Sequence, residues 1–249
     1  MPSGFSLAAL DLVFPALCSV CQASLGPGRR DPLCGRCWGA ITRLGPPGCD
    51  ACGLASPTRA PFDWSGATEH RWAGACTIDR PEYDYARSAA VYEGALREAL
   101  HAFKFSGKRA LARPLGDLAI EQCVASLLEG IEAVIAVPLA RERERERGFN
   151  QAALLAQRIA KRLGVPTRPR WLARVRATRP QSDLPAAERR VNVRGAFRAS
   201  RAVAGRHVLV VDDVLTTGAT LGECARALHD GGARRVGVLT VARVLHAAV

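Results

Sequence analysis

Two groups of residues carry chemistry by their types and spacing. The first lies in His207-Val-Leu-Val-Val-Asp-Asp-Val-Leu-Thr-Thr-Gly-Ala-Thr-Leu221. Here Asp212 and Asp213 are adjacent carboxylates, and Thr216, Thr217 and Thr220 bring hydroxyl donors. Gly218 can take backbone angles closed to other residues, and Ala219 opens the following segment. A helix starting there would turn its first N–H groups and the positive end of its dipole toward the turn, which makes an anion cradle. The carboxylates upstream repel a phosphate, so they suit vicinal hydroxyls or a phosphate-bound Mg²⁺. A sugar phosphate with free hydroxyls satisfies both halves.

The second group is thiols. Cys18-x2-Cys21 and Cys34-x2-Cys37, 12 residues apart, have the spacing of a structural Zn²⁺ site in which two tight turns present four thiolates. Cys49 and Cys52 form a third knuckle, with Cys76 as a third thiol. A matching knuckle would put its other thiol at Ala73, and His70 is the nearby substitute for it. A segment so rich in Gly and Pro buries too little apolar area to fold well alone, so zinc is expected to supply the folding free energy. The sheet that follows is expected to stand without it. Cys123 and Cys224 stand singly in helical patterns and read as small buried hydrophobes.

Both sites need elements to position them. Val208 to Val211 read as a strand buried on both faces and ended by the acids. Leu221, Ala225 and Leu228 then fall at helical spacing, and Gly231-Gly232 stops that helix. Upstream, Leu96, Leu100 and Phe103 mark one amphipathic helix running into Lys104. Leu111, Leu115, Leu118 and Ala119 mark a second, with Pro114 in its first turn. Ala133 to Val137 predict a short buried strand ending at Pro138. The alternating run Arg141 to Arg147, with Gly148 and Asn150, is then a strand-to-helix loop at the carboxyl edge of the sheet, where such folds take ligands. Arg143 and Arg147 are its candidate ligand residues. A helix with Leu155, Ile159 and Leu163 follows, closed by Gly164. Trp171 to Val175 predicts a strand, Thr178 to Asn192 a long loop, and Val236 to Val241 a last buried strand.

The 249 residues hold one medium domain and a small satellite, with boundaries expected at 1–80 and 81–249. Hydrophobic content is an ordinary 48%, but the formal net charge is +12. That balance suits phosphorylated ligands, nucleic acid or acidic partners; an arginine-rich composition bias would give the same number. The apolar stretch Leu7 to Leu17 holds Asp11 and is too short to span a bilayer, so a cytoplasmic protein without membrane insertion is expected.

At the Asp-Asp-Val-Leu-Thr-Thr-Gly-Ala-Thr run the chain resembles the phosphoribosyltransferases and their signature for 5-phosphoribosyl-1-pyrophosphate (PRPP). Over about Cys18 to Arg243 it resembles the ComF family of competence-related, phosphoribosyltransferase-like proteins. The likeness rests on the cysteine knuckles, Phe103-Lys104-Phe105, Val137-Pro138 with Arg143 and Arg147-Gly-Phe-Asn-Gln, then Gln181, Leu184, Arg189, Asn192 and Phe197, and the acid-and-threonine turn. It implies an α/β fold, a type I phosphoribosyltransferase-like parallel sheet flanked by helices, with a small N-terminal zinc-ribbon module. It further implies PRPP with Mg²⁺ over Asp212, Asp213 and residues Thr216 to Thr220, and a pyrophosphate loop at Arg143, Arg147, Gly148 and Asn150. Asp212, Asp213 and Arg147 are then the candidate catalytic residues, Lys104 an accessory one, and Gln181, Arg189 and Asn192 a mobile lid. Phosphoribosyl transfer to an unidentified acceptor is the enzyme reading. A non-catalytic adaptor that binds single-stranded DNA or a helicase and uses the pocket as a sensor is the other. The family implies DNA handling during natural uptake, with helicase or recombination partners.

Overall fold

The computed structural model describes residues 16–26, 31–47, 49, 51–54, 76, 80–127, 129–178 and 186–245, without the side chains of 186, 187 and 189. Expectations for His70, Ala73, Gln181 and most of Leu7 to Leu17 fall outside them. After the short helix α1 (Gly35–Gly39) the order is β1 (Tyr85–Val91), α2 (Gly94–Phe105), α3 (Ala112–Cys123), β2 (Ala133–Ala136), α4 (Arg141–Arg147) and α5 (Gln151–Leu163). Then come β3 (Leu172–Arg174), α6 (Ala186–Val193), β4 (Phe197–Ala199), β5 (His207–Leu215), α7 (Ala219–Asp230) and β6 (Arg235–Arg243).

Strands β1, β6, β5 and β2 form one parallel sheet in that spatial order. Side chains alternate across a strand, so β5 sends Leu209 and Val211 into one core and Val208 and Val210 into the other. On the first face α3 and α5 bring Leu115, Leu118, Leu155 and Ile159. On the second, α7 brings Leu221, Cys224 and Leu228, and the antiparallel pair β3–β4 brings Leu172 and Phe197. Each fully buried aliphatic side chain contributes about 1.5–3 kcal/mol relative to exposure. Cys123 and Cys224 are buried among these apolar residues, as expected of small hydrophobes.

The N-terminal segment does not stand apart from the sheet. Cys18, Leu33, Cys37 and Ile41 belong to the same core as Leu96 and Leu100. Its backbone also closes the free edge of β1. Leu44 N donates to Ala89 O and Val91 N to Thr42 O, both at 2.9 Å, and Ala86 N donates to Ala51 O at 2.6 Å. Arg243 at the end of β6 donates to Cys52 O at 2.6 Å. These bonds pair backbone groups along that edge, and the sheet and the cysteine segment share apolar and hydrogen-bonding partners.

Other expectations change in detail. The acids do not end β5, which continues through Val214 and Leu215. The Arg/Glu run is a helix rather than a loop. Coiling at 3.6 residues per turn puts Arg143 and Arg147, four apart, on one face. The stretch expected as a long loop, Thr178 to Asn192, instead ends in a helix that runs from Ala186 to Val193. That short helix is polar, so it carries no apolar period to read in advance.

Candidate functional site

A cavity of about 350 Å³ opens at the carboxyl ends of the strands, lined by residues following β1, β2 and β5. Its floor is the acid pair. Neighbours on a strand point to opposite faces, so Asp213 turns toward α2 while Asp212 lies on the α7 side. Asp213 is only 3% exposed. Its Oδ2 meets Lys104 Nζ at 2.6 Å, an ion pair whose geometry falls short of a hydrogen bond. Helix α2 sets that lysine in place by burying the preceding Phe103 in the core. Burial opposes the charge on Lys104, but the attraction of Asp213 outweighs it and holds the ammonium above its ordinary pKa. Asp212 accepts from Asp213 N at 2.9 Å. Burial, reinforced by the Asp213 carboxylate, pushes Asp212 up to about 8.

Beyond the acids the chain turns at Thr216 to Gly218. Gly218 has φ 77° and caps α7 without a side chain of its own, a conformation that costs a residue with a Cβ about 1–2 kcal/mol. Gly222 N bonds Gly218 O at 2.7 Å to begin the helix. Thr217 Oγ1 accepts from Ala219 N at 3.4 Å. The first-turn N–H groups of any helix lack intrahelical acceptors, and here they border the cavity beside three threonines.

The facing wall is α4. Arg143 and Arg147 both line the cavity. Arg147 donates to Gln151 Oε1 at 3.0 Å, and its guanidinium lies 4.8 Å from the Phe105 ring centroid. Burial lowers its pKa, and the acid pair opposes that. Gly148 (φ 72°) ends α4, and its carbonyl accepts from Arg109 at 2.6 Å. Asn150 caps α5 by accepting from Ala152 N at 3.0 Å, and it donates to Val137 O at 3.0 Å. That side chain joins the end of β2 to the start of α5, which fixes the whole connection. From the β3–β4 pair, Arg174 lies 5.4 Å over the Phe197 ring and donates to Thr178 Oγ1. Burial lowers its pKa too.

Lys104, Arg143, Arg147, Asp212, Asp213 and the run Thr216 to Thr220 therefore meet in one cavity, although they lie on three distant stretches of chain. Gly148 and Asn150 shape it from behind. Asn192 has its backbone carbonyl bonded by Arg176 at 2.9 Å and does not line the cavity. Arg189 lies in α6. Sequence reading missed Tyr92, His101, Arg174, Thr178 and the supporting Arg109, and nothing local marks them: Arg174 is one arginine among many in its stretch. With cations at Lys104, Arg143, Arg147 and Arg174 facing two acids, the cavity suits a multiply charged anion that also carries hydroxyls.

Cys18, Cys21, Cys34 and Cys37 bring their sulfurs within 4.8 Å of one another. Cys21 and Cys34 sulfurs are 3.6 Å apart, close to the edge of about 3.8 Å of a tetrahedron with Zn–S near 2.3 Å. Cys34 N points at Cys18 Sγ and Cys37 N at Cys34 Sγ, both at 3.4 Å, as donors to thiolate. Burial, with Cys34 beside it, pushes Cys37 up to about 12, so a cation is needed to hold all four ionised. The set fits structural zinc. Cys49, Cys52 and Cys76 form a second cluster of three buried thiols. Among the described residues no helix is long and apolar enough to cross a membrane.

The sequence matches the family model of the phosphoribosyl transferase domain over residues 150–248 and that of the double zinc ribbon domain over 9–77. It is 33% identical over 238 residues to the DNA utilization protein YhgH of Escherichia coli K12, covering 94% of this chain and all of that one. It is 35% identical over 179 residues to competence protein F of Haemophilus influenzae, covering 68% and 77% of the two chains. Among solved structures, a glutamine PRPP amidotransferase from Bacillus subtilis complexed with ADP and GMP aligns with a TM-score of 0.36 and 24% identity, over 51% of this chain and 26% of that one.

Proposed function

Since the chain belongs to the ComF family, a phosphoribosyltransferase-like domain joined to zinc ribbons, we propose that its cavity binds PRPP with Mg²⁺ and serves DNA uptake. The observation that carries this reading is the meeting of a carboxylate pair, a threonine turn at a helix start and two arginines four residues apart in one cavity. The turn Thr216 to Thr220 takes the 5-phosphate, and Asp212 and Asp213 take the ribose hydroxyls. Arg143 and Arg147 take the pyrophosphate, with Arg174 and Thr178 beside them. Because Lys104 already occupies Asp213 Oδ2, Mg²⁺ is read as arriving on the diphosphate; there it would offset phosphate charge.

For transfer, an acceptor nucleophile bonds to ribose C1 as the C1–O bond to pyrophosphate breaks. The bonding pair leaves with pyrophosphate, and the acceptor's proton is released. Arg147 is fixed by Gln151 and stabilises the charge growing on the leaving group without reorganising. Gln181 and Arg189 belong to the lid in this reading. A cytoplasmic protein handling incoming single strands accords with the relatives named for DNA utilization and competence. Trp171, with Arg168 over its ring, and the exposed Arg170, Arg198 and Arg201 are the surface assigned to the strand. A helicase or recombination mediator is the partner class that such a role needs.

Thermal denaturation with PRPP tests the binding reading. Ligand at 100 times its Kd stabilises by about 2.7 kcal/mol. The parent protein is expected to gain stability only with PRPP and Mg²⁺ together, and Asp213→Ala or Thr217→Ala to gain about half as much or less at the same ligand concentration. A parent protein indifferent to PRPP would retire the proposal.

A further inference from the structure

Phe105 is an apolar ring set at the mouth of a charged cavity. It ends α2 and is 62% exposed, although Phe103, two residues earlier, is fully buried. Lys104 between them reaches Asp213, so the ring follows directly on the lysine that pairs with the acid floor, and it lines the same cavity. The ring is held rather than loose. Arg147 lies 4.8 Å from its centroid and is itself tied to Gln151. One helical turn back, the His101 ring lies 4.7 Å away at an angle of 43°, and it lines the cavity as well. An exposed aromatic ring fixed by a cation and flanked by an imidazole presents π surface to whatever enters. The acids, threonines, lysine and arginines of the cavity recognise charge or hydroxyl, and none of them calls for such a surface.

We propose that Phe105, with His101 beside it, is a stacking platform for a planar heteroaromatic ring of the nucleobase class. This rests on the PRPP reading for calling that ring the phosphoribosyl acceptor; the stacking itself follows from the exposed ring. The ring has two possible sources, a free base or a base within a single strand, and both present the same π face.

The test uses 2-aminopurine, whose fluorescence is quenched on stacking. It is offered as the free base and within a twelve-residue oligothymidylate, to protein saturated with PRPP and Mg²⁺. Phe105→Ala is expected to weaken probe binding about 5- to 150-fold, the range of base–aromatic stacking, and Phe105→Trp to stay within about threefold of the parent. PRPP affinity should move far less than probe affinity, because Arg147 keeps its bond to Gln151. Loss confined to the free base, or to the oligonucleotide, supports the platform and identifies the source. Equal probe binding by the parent and Phe105→Ala, or none by either with PRPP bound, overturns the inference alone. Failure of PRPP to bind the parent overturns the cavity reading and the acceptor role; the same comparison without PRPP then decides the platform.

Discussion

Replacing Asp212 by Asn keeps the shape of the floor and removes one of two crowded carboxylates. In the unfolded chain this acid releases its proton near 3.8; in the native protein burial and Asp213 raise that to about 8. Between those values the native state holds the extra proton, so stability falls as pH rises and the loss is complete above about 8. The slope has a ceiling of about 1.4 kcal/mol per pH unit. The value of about 8 already reflects Lys104, which favours the ionised form, and a contribution of about 1–3 kcal/mol between pH 6 and 8 is expected. Asn has no proton to lose. Urea unfolding of ligand-free, zinc-loaded protein at pH 6, 7 and 8 should therefore show a flatter profile for Asp212→Asn, with the variant the more stable at pH 8. Parallel profiles for the two proteins would refute the argument that burial holds Asp212 protonated.

Chelation of zinc should lower the melting temperature of the whole chain in one transition, because Cys18 and Cys37 share a core with Leu96 and Leu100; calorimetry that shows the sheet melting unchanged would contradict this. Elemental analysis should find at least one zinc per chain, and a second only if another residue completes the cluster of Cys49, Cys52 and Cys76. Arg109→Ala removes the donor to Gly148 O and the cation over Phe149, which should weaken PRPP binding roughly fivefold with a stability change under about 1 kcal/mol, measurable by titration and urea unfolding. Arg198→Ala with Arg201→Ala should reduce the dependence of log affinity for oligothymidylate on log salt by about 1.4, at 0.7 per single-strand contact; an unchanged slope would remove these residues from the strand surface.

The parts of this fold legible in the sequence are those in which local pattern and tertiary role agree. Val208 to Val211 are apolar on consecutive positions because β5 is covered on both faces, and Leu155, Ile159 and Gly164 show the face and the end of α5. The thiol clusters are legible because metal spacing is local. Strand β1 was not expected. It is built of small residues and carries the buried Arg87, which bonds Ser126 O at 3.1 Å, so it shows neither β-branched enrichment nor a clean apolar run. Strand β4 has three residues and makes sense only opposite β3. In the cavity, residues of the motif itself were legible. Tyr92, His101, Arg174 and Thr178 arrive from elements whose convergence only the sheet order determines.

The central claim is most directly tested by calorimetric titration of PRPP into the parent protein and Thr217→Ala, with and without Mg²⁺. The account predicts saturable binding of one PRPP per parent chain, dependent on Mg²⁺, and weakened at least about tenfold when the hydroxyl beside Ala219 N is lost, a change of about 1.4 kcal/mol. Absence of saturable heat with the parent protein, or equal affinity in the variant, would contradict it.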